Sequence, residues 1–228
     1  MKILKRIVAA IIVASVSMGV VFAVDNKKSS NEGLGKYAKL TLGYSRGGVD
    51  TEWDFDSYKI NYAIAYSGFE IIPTFGLELP VSALEKKNLS LALEGSLGLT
   101  FGSDSDGLWE SSTKVIAPGV MGILNYHFDS LPKLTPYAGL GFSVPIQLVN
   151  VKYKYTTVEY TTMYGQQIPS GTTTKTYETD STVVGFKINT SIGAKYAFTD
   201  KFSALGEFGM GIIGVFSWSI RAGAIYHF

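Results

Sequence analysis

The sequence predicts an all-β fold, an eight-stranded antiparallel up-and-down transmembrane β-barrel preceded by a cleaved signal peptide. Three observations carry this. From Lys36 to Phe228, apolar residues alternate with small or polar ones in segments long enough to cross a bilayer, as in strands with one face on lipid and the other on a filled lumen. The connections between these segments alternate short and long. The composition agrees: of 228 residues 17% are charged and 13% aromatic, with 25 Gly, against ~25% charged in ordinary soluble domains.

The amino terminus is read first. Lys2, Lys5 and Arg6 form a basic region, Ile7 to Val21 is apolar, and Val21-Phe22-Ala23 sets small residues where signal peptidase cuts. The run is shorter than the ~20 residues of a spanning helix, and with no Cys behind it a lipoprotein anchor is excluded. Residues 1–23 are thus a signal peptide, 24–35 a short polar periplasmic lead, and 36–228 the barrel domain. Cleavage removes three basic residues and no acid, leaving 17 basic and 19 acidic groups, net −2. That balance gives no electrostatic footprint for nucleic acid. The absence of Cys rules out disulfides, thiolate metal sites and a cysteine nucleophile.

Eight strands follow, at about 36–45, 69–81, 89–101, 115–128, 134–147, 182–198, 202–213 and 215–228. The third is the clearest: Leu89, Leu91, Leu93, Leu97, Leu99 and Phe101 share one face, while Ser90, Glu94, Ser96 and Thr100 share the other. The links 82–88, 129–133 and 199–201 are short, the turn around Gly214 is tight, and the links 46–68, 102–114 and 148–181 are long. Short turns face the periplasm and long loops the exterior, with both termini on the short-turn side. Aromatics gather at strand ends: Tyr37, Tyr126, Phe128, Tyr196, Phe198, Phe202, Tyr226 and Phe228 at one end, and Phe69, Phe101 and Trp218 towards the other. Such rings prefer the membrane interface. One segment is out of phase. Tyr58, Ile60, Tyr62, Ile64 and Tyr66 alternate on even numbers, whereas Phe69 to Val81 alternate on odd ones. The reading is an extension of strand two above the membrane, with a bulge at Ser67-Gly68.

The last strand, Ser219-Ile-Arg-Ala-Gly-Ala-Ile-Tyr-His-Phe228, resembles the carboxy-terminal assembly signal of bacterial outer-membrane proteins, with Ile220, Tyr226 and Phe228 in phase. Thr135-Pro-Tyr-Ala-Gly-Leu-Gly-Phe142 resembles a recurrent strand of the small OmpA/OmpX/OmpW-like eight-stranded barrels. The likeness covers about residues 36–228. It implies integral residence in the bacterial outer membrane with extracellular loops, and contact with outer-membrane lipid and the barrel-assembly machinery. It brings no catalytic residues with it.

Several motifs invite chemistry. Gly209-Met-Gly-Ile-Ile-Gly214 spells a dinucleotide fingerprint, but a helix and a later acid must follow, and here a strand ends the chain. The glycines read instead as a small lumen face and a tight turn. His127 and His227 sit inward at the periplasmic rim; Asp129 is near His127, but no Ser is partnered to it, so no enzyme is expected. Asp50, Glu52, Asp54, Asp56, Asp104, Asp106 and Glu110 could offer oxygen to Ca²⁺, yet lack the order of a calcium hand and read as a solvated acidic surface. No metal or cofactor is expected.

Two features bear on function. Lys39, Lys195 and Arg221 meet Glu78, Glu94 and Glu207 on the inward face of the lower lumen, where charges in a confined interior should pair. This network is either a permanent plug or a gate, and the plug is favoured because eight strands leave an interior that side chains fill. Residues 148–181 are rich in Thr and Tyr, including Tyr153, Tyr155, Tyr160 and Tyr164, with Gly165 to Gly171 as the tip. They read as a protruding hairpin suited to an extracellular or host ligand. The function expected is a monomeric barrel with a charge-plugged lumen and surface loops for interaction, adhesion or envelope structure. The alternatives are a narrow porin-like conduit for small or apolar solutes and, third, a lipid-modifying or proteolytic enzyme.

Overall fold

A computed structural model describes residues 35–55, 58–105, 107, 109–164, 166–212 and 216–228, without the side chains of 49–55, 58–64 and 163. The signal segment and residues 24–34 lie outside it, as does Gly214.

The strands are β1 (Lys36–Phe55), β2 (Tyr58–Leu79), β3 (Leu89–Ser105), β4 (Trp109–Tyr126), β5 (Leu134–Ser143), β6 (Ile146–Met163), β7 (Gln166–Val184), β8 (Lys187–Ala197), β9 (Phe202–Gly211) and β10 (Ser217–His227). One turn of helix, α1 (Ser82–Glu85), fills the link after β2. All pairings are antiparallel, and β1–β2–β3–β4–β5–β8–β9–β10 closes on β1, giving a ring of eight. β6 and β7 continue β5 and β8 upward and pair with each other, and β6 also pairs with Trp109–Ile116 of β4. Eleven residues at ~3.3 Å rise and ~40° tilt cover roughly 28 Å, so β8, β9 and β10 are just long enough for the apolar slab. β5 is as short as β9, and β1–β4 overshoot the slab.

Alternation decides which side faces what. Leu40, Leu42, Leu93, Val120, Leu124, Leu140, Phe142, Ile192 and Ile220 all point outward and stay exposed, Leu140 and Ile192 at 64% and 63%. So large an exposed apolar belt has no aqueous solution; in a bilayer it is the solvated face. Thr41, Ser45, Thr74, Thr100, Ser191, Ser203 and Ser219 point inward and are buried.

The structure corrects the boundaries. Residues 46–55 and 102–105 are strand rather than loop. Above the slab no lipid selects for apolar residues, so the alternation fades while the backbone ladder continues. β2 stops at Leu79 rather than Val81, because Pro80 has no N–H to extend the ladder. The bulge at Ser67-Gly68 is absent: β1 and β2 pair in one unbroken register from Lys36↔Leu77 to Phe55↔Tyr58. Even positions of β2 from Tyr66 onward face the interior: the buried Tyr66 lies on the same side as Glu70 and Thr74. Tyr66 is large yet even-numbered because it packs inward instead of on lipid. Of the expected tip, Gly165 to Gly171, residues 166–171 are strand, and Gly165 lies outside the described residues. Pro169 pairs with Tyr160 and Gly171 with Glu159, with a register shift between them, and the turn is at Tyr164.

Candidate functional site

The interior is stacked in layers. Near the periplasm Tyr37, Ala92, Ile123, Tyr137, Leu205 and Ile225 form a buried apolar cluster, with Met121 against it. Tyr37 therefore belongs to the lumen and is fully buried, not to the interfacial girdle. Its odd number matches Lys39 and Thr41, which is the signal that places it inside. Gly76 makes room for it: a Cβ there would sit 2.0 Å from the ring.

The charged side chains interlock with this cluster. Lys39, opposite Ile225 in register, makes an ion pair with Glu94. The Tyr37 hydroxyl donates to Glu94 Oε1 at 2.8 Å. Lys195 donates to Asn125 Oδ1 at 2.9 Å and lies 5.4 and 5.0 Å from the Tyr37 and Tyr137 ring centroids. The Tyr137 hydroxyl donates to Glu207 Oε2 at 2.8 Å. Arg221, directly opposite Glu207 in register, donates from Nη1 to Glu207 Oε1 at 2.6 Å and from Nε to Glu70 Oε1 at 2.5 Å. Five of the six charges read from the sequence thus lie in one buried assembly. Glu78 does not join it: it stands beside Gly35 at the rim, without an ion pair among the described residues. Lys195 is held by an amide and two rings rather than by a carboxylate. Glu70, absent from the sequence reading, lies far from the periplasmic strand end, yet its even number, shared with Glu78, puts it on the inward face.

A chamber of about 260 Å³ opens onto this network, walled by Lys39, Glu70, Glu94, Glu207 and Arg221 and by Ser45, Thr100, Gln147, Lys187, Ser217 and Ser219 among others. A second apolar layer, Tyr66, Val115, Val149 and Val151 with Trp109, Ala117 and Val183, forms its roof.

Beyond the roof the β6–β7 ribbon leaves the barrel. Tyr153 stands opposite Trp109 on one side and Tyr177 on the other, and its ring stacks on Tyr155 at 6.2 Å and 18°. Tyr160 is exposed, and Tyr164 at the turn is 99% exposed with φ 53°. Lys154 bonds Glu110 at 3.1 Å, Lys152 reaches Glu178 at 3.5 Å, and Asn150 donates to both Glu178 and Asp180. Glu110 is therefore a tether between ribbon and β4. The side chains of Asp50, Glu52, Asp54, Asp56 and Asp106 lie outside the described residues.

His127 does have a serine beside it: Nε2 lies 2.9 Å from Ser90 Oγ across β3–β4, and Asn125 also donates to that oxygen at 3.3 Å. The sequence hid the pair because its members are 37 positions apart. It has the reach of a nucleophile and base, but sits exposed at the periplasmic rim. His227 lies instead against Tyr37, ring centroids 5.7 Å apart. Ile220 and Phe228 are on the outer face; Phe228 N donates to Lys36 O at 3.0 Å, and its ring meets Tyr226 edge-on at 5.2 Å.

No family model and no curated protein matches the sequence. Among solved structures, Neisserial surface protein A is similar at TM-score 0.50 and 16% identity, over 86% of this chain and 100% of that one. Ail, the attachment invasion locus protein of Yersinia pestis, is similar at TM-score 0.43 and 13% identity, over 84% and 98%. The first likeness shows the fold, that of the small eight-stranded outer-membrane barrels. With the apolar belt and the closed ring, the chain is an integral β-barrel protein of the bacterial outer membrane.

Proposed function

We propose that this barrel is a non-conducting, non-catalytic membrane platform whose β6–β7 ribbon engages an extracellular ligand, in adhesion or another surface interaction. One observation supports the reading: buried apolar clusters pack inside the barrel at two levels while the tyrosines of the ribbon stay exposed. Stiff tyrosine-bearing strands offer contact area at low entropic cost, and the cross-strand bonds of Asn150, Thr156 and Thr157 hold their shape. The barrel acts as a monomer and reaches the membrane through the barrel-assembly machinery by way of Ile220, Tyr226 and Phe228. The layered side chains disfavour the conduit.

Planar-bilayer recording of the refolded protein tests the lumen. Electrical silence is expected, and discrete openings would return the conduit to first place. Replacing residues 154–175 by a two-residue turn tests the ribbon. The shortened barrel should assemble normally but lose cell adherence to host surfaces; unchanged adherence would refute the ribbon's role.

A further inference from the structure

The lipid-facing wall carries an inference independent of the ribbon. Between the two rims Lys39, Lys187, Lys195 and Arg221 all point into the lumen. Arg46 and Lys114 do not. Both are exposed and lie on the outward parity of their strands, Arg46 with Leu42 and Tyr44, and Lys114 opposite the outward Phe101 and Leu148. Arg46 stands ten residues above Lys36, and Lys114 twelve above Tyr126. At ~3.3 Å rise and ~40° tilt both heights come to roughly 25–30 Å, the outer edge of an apolar band ~25 Å tall. The aromatic residues agree. Phe69 and Phe101 stand at the same counts from Leu79 and Leu89, and Tyr44 and Trp218, ring centroids 5.9 Å apart, lie beside Arg46.

Neither cation makes a hydrogen bond or ion pair among the described residues. The cross-strand neighbours of Arg46 are Ser67 and Trp218, and those of Lys114 are Phe101 and Leu148, with no carboxylate among them. The acids higher on the outer wall are engaged: Glu110 bonds Lys154, and Asn150 donates to Glu178 and Asp180. Asp50 is four residues beyond Arg46, ~13 Å along the strand. A cation facing lipid is tolerated best at the interface, where anionic headgroups attract it. The counter-ions of this pair therefore come from the membrane.

Two cross-strand rows join the cations. Arg46, Ser67, Ser103 and Ser112 form the upper row, and Tyr44, Phe69, Phe101 and Lys114 the lower. Hydroxyls thus stand directly above aromatic rings, with a cation at opposite ends of the two rows. The span from β1 to β4 is three strand spacings, ~14 Å. A phosphate at each end of a short sugar core bridges it. On the far side β8, β9 and β10 present no outward cation.

We propose that the face from β1 to β4 binds a phosphorylated glycolipid of the outer leaflet. Arg46 and Lys114 take its phosphates, Arg46 through the paired N–H donors of its guanidinium. The serine row meets the sugar hydroxyls, and the aromatic row packs on the acyl chains.

The test is native mass spectrometry of the mature chain refolded in maltoside micelles and titrated with lipid A, a doubly phosphorylated, acylated disaccharide. Wild type should retain one lipid A per barrel, and should hold its dephosphorylated form and phosphatidylglycerol far more weakly. Arg46→Ala and Lys114→Ala should each weaken lipid A binding about fivefold, and together roughly twentyfold, as expected for one surface cation each. Arg46→Lys, which keeps the charge, should lose less than Arg46→Ala. Lys154→Met, which removes a cation already paired on the ribbon, should leave binding unchanged. Both target side chains are exposed, so the variants should fold as wild type does, and heat-modifiable gel migration verifies that. Wild-type affinity in the double variant, or dephosphorylated lipid held as tightly as lipid A, overturns the phosphate contacts. Phosphatidylglycerol held as tightly as lipid A overturns the glycolipid assignment.

Discussion

Arg221→Ala is the sharpest perturbation of the interior. The guanidinium sits between two carboxylates, and Glu70 and Glu207 are 5% and 7% exposed. Removing it leaves both without their cation. Breaking a buried pair from one side costs ~3–5 kcal/mol. The lower end applies here, because Tyr137 still donates to Glu207 and the adjacent chamber admits water. A loss of ~3 kcal/mol is roughly a hundredfold in the unfolding constant. Glu207→Ala should cost less, ~1–2 kcal/mol, since Arg221 keeps its bond to Glu70 and a lost hydrogen bond to a charged group is worth about that much. In the double variant one orphaned carboxylate is gone, so the combined loss should fall short of the sum by ~1–2 kcal/mol, within the coupling seen for contacting residues. Urea unfolding in lipid vesicles, followed by tryptophan fluorescence, reads all three variants. Strict additivity, or an Arg221→Ala loss no larger than that of Glu207→Ala, would refute the bridging role.

Other outcomes follow from particular contacts. Gly76→Ala should lower stability by ~1–3 kcal/mol through overpacking, because its Cβ would press into the buried Tyr37 ring, whereas Gly95→Ala, whose Cβ meets nothing within 4 Å, should be silent in the same urea assay. An epitope inserted after Ser170, which the ribbon's register shift skips, should be labelled on intact cells, and one within 129–133 only after permeabilisation; the opposite pattern would invert the orientation. Deleting Phe228 should lower the outer-membrane level without impairing secretion, and an undiminished level in membrane fractions would remove the assembly-signal assignment.

The membrane part of the fold was legible because two media act on every residue there. Lipid on one side of Leu93 and a filled lumen on the other side of Glu94 enforce strict alternation. Outside the slab that constraint lapses, and Trp53 or Ser112, both in strands, looks no different from a loop residue. Parity put Arg221 and Glu207 on the same inward face, and the register of β9 and β10 sets them opposite each other. Parity also puts Glu70 and Tyr37 on the inward face, although Glu70 lies far from the periplasmic strand end and Tyr37 sits at the height of the aromatic girdle. The Ser90–His127 contact and the Lys187 chamber could not be read, because both depend on which staves become neighbours and on side-chain reach.

The step in the barrel wall at Val144-Pro145 and Gly185-Phe186 has a consequence for how the exterior can change. Pro145 has no N–H to give, while Val144 N bonds Pro118 O and Gly185 N bonds Pro145 O, so the ladder is re-anchored at that height before the ribbon begins. Ring closure runs through β5–β8 and never through β6 or β7. Selection on the exterior is therefore uncoupled from selection on assembly. The ribbon's tip can drift, lengthen or be exchanged under pressure from outside while the barrel keeps its register. A change at Pro145 or Gly185 acts in the other sense, turning the whole ribbon towards a new bearing without altering any residue that an outside partner could touch.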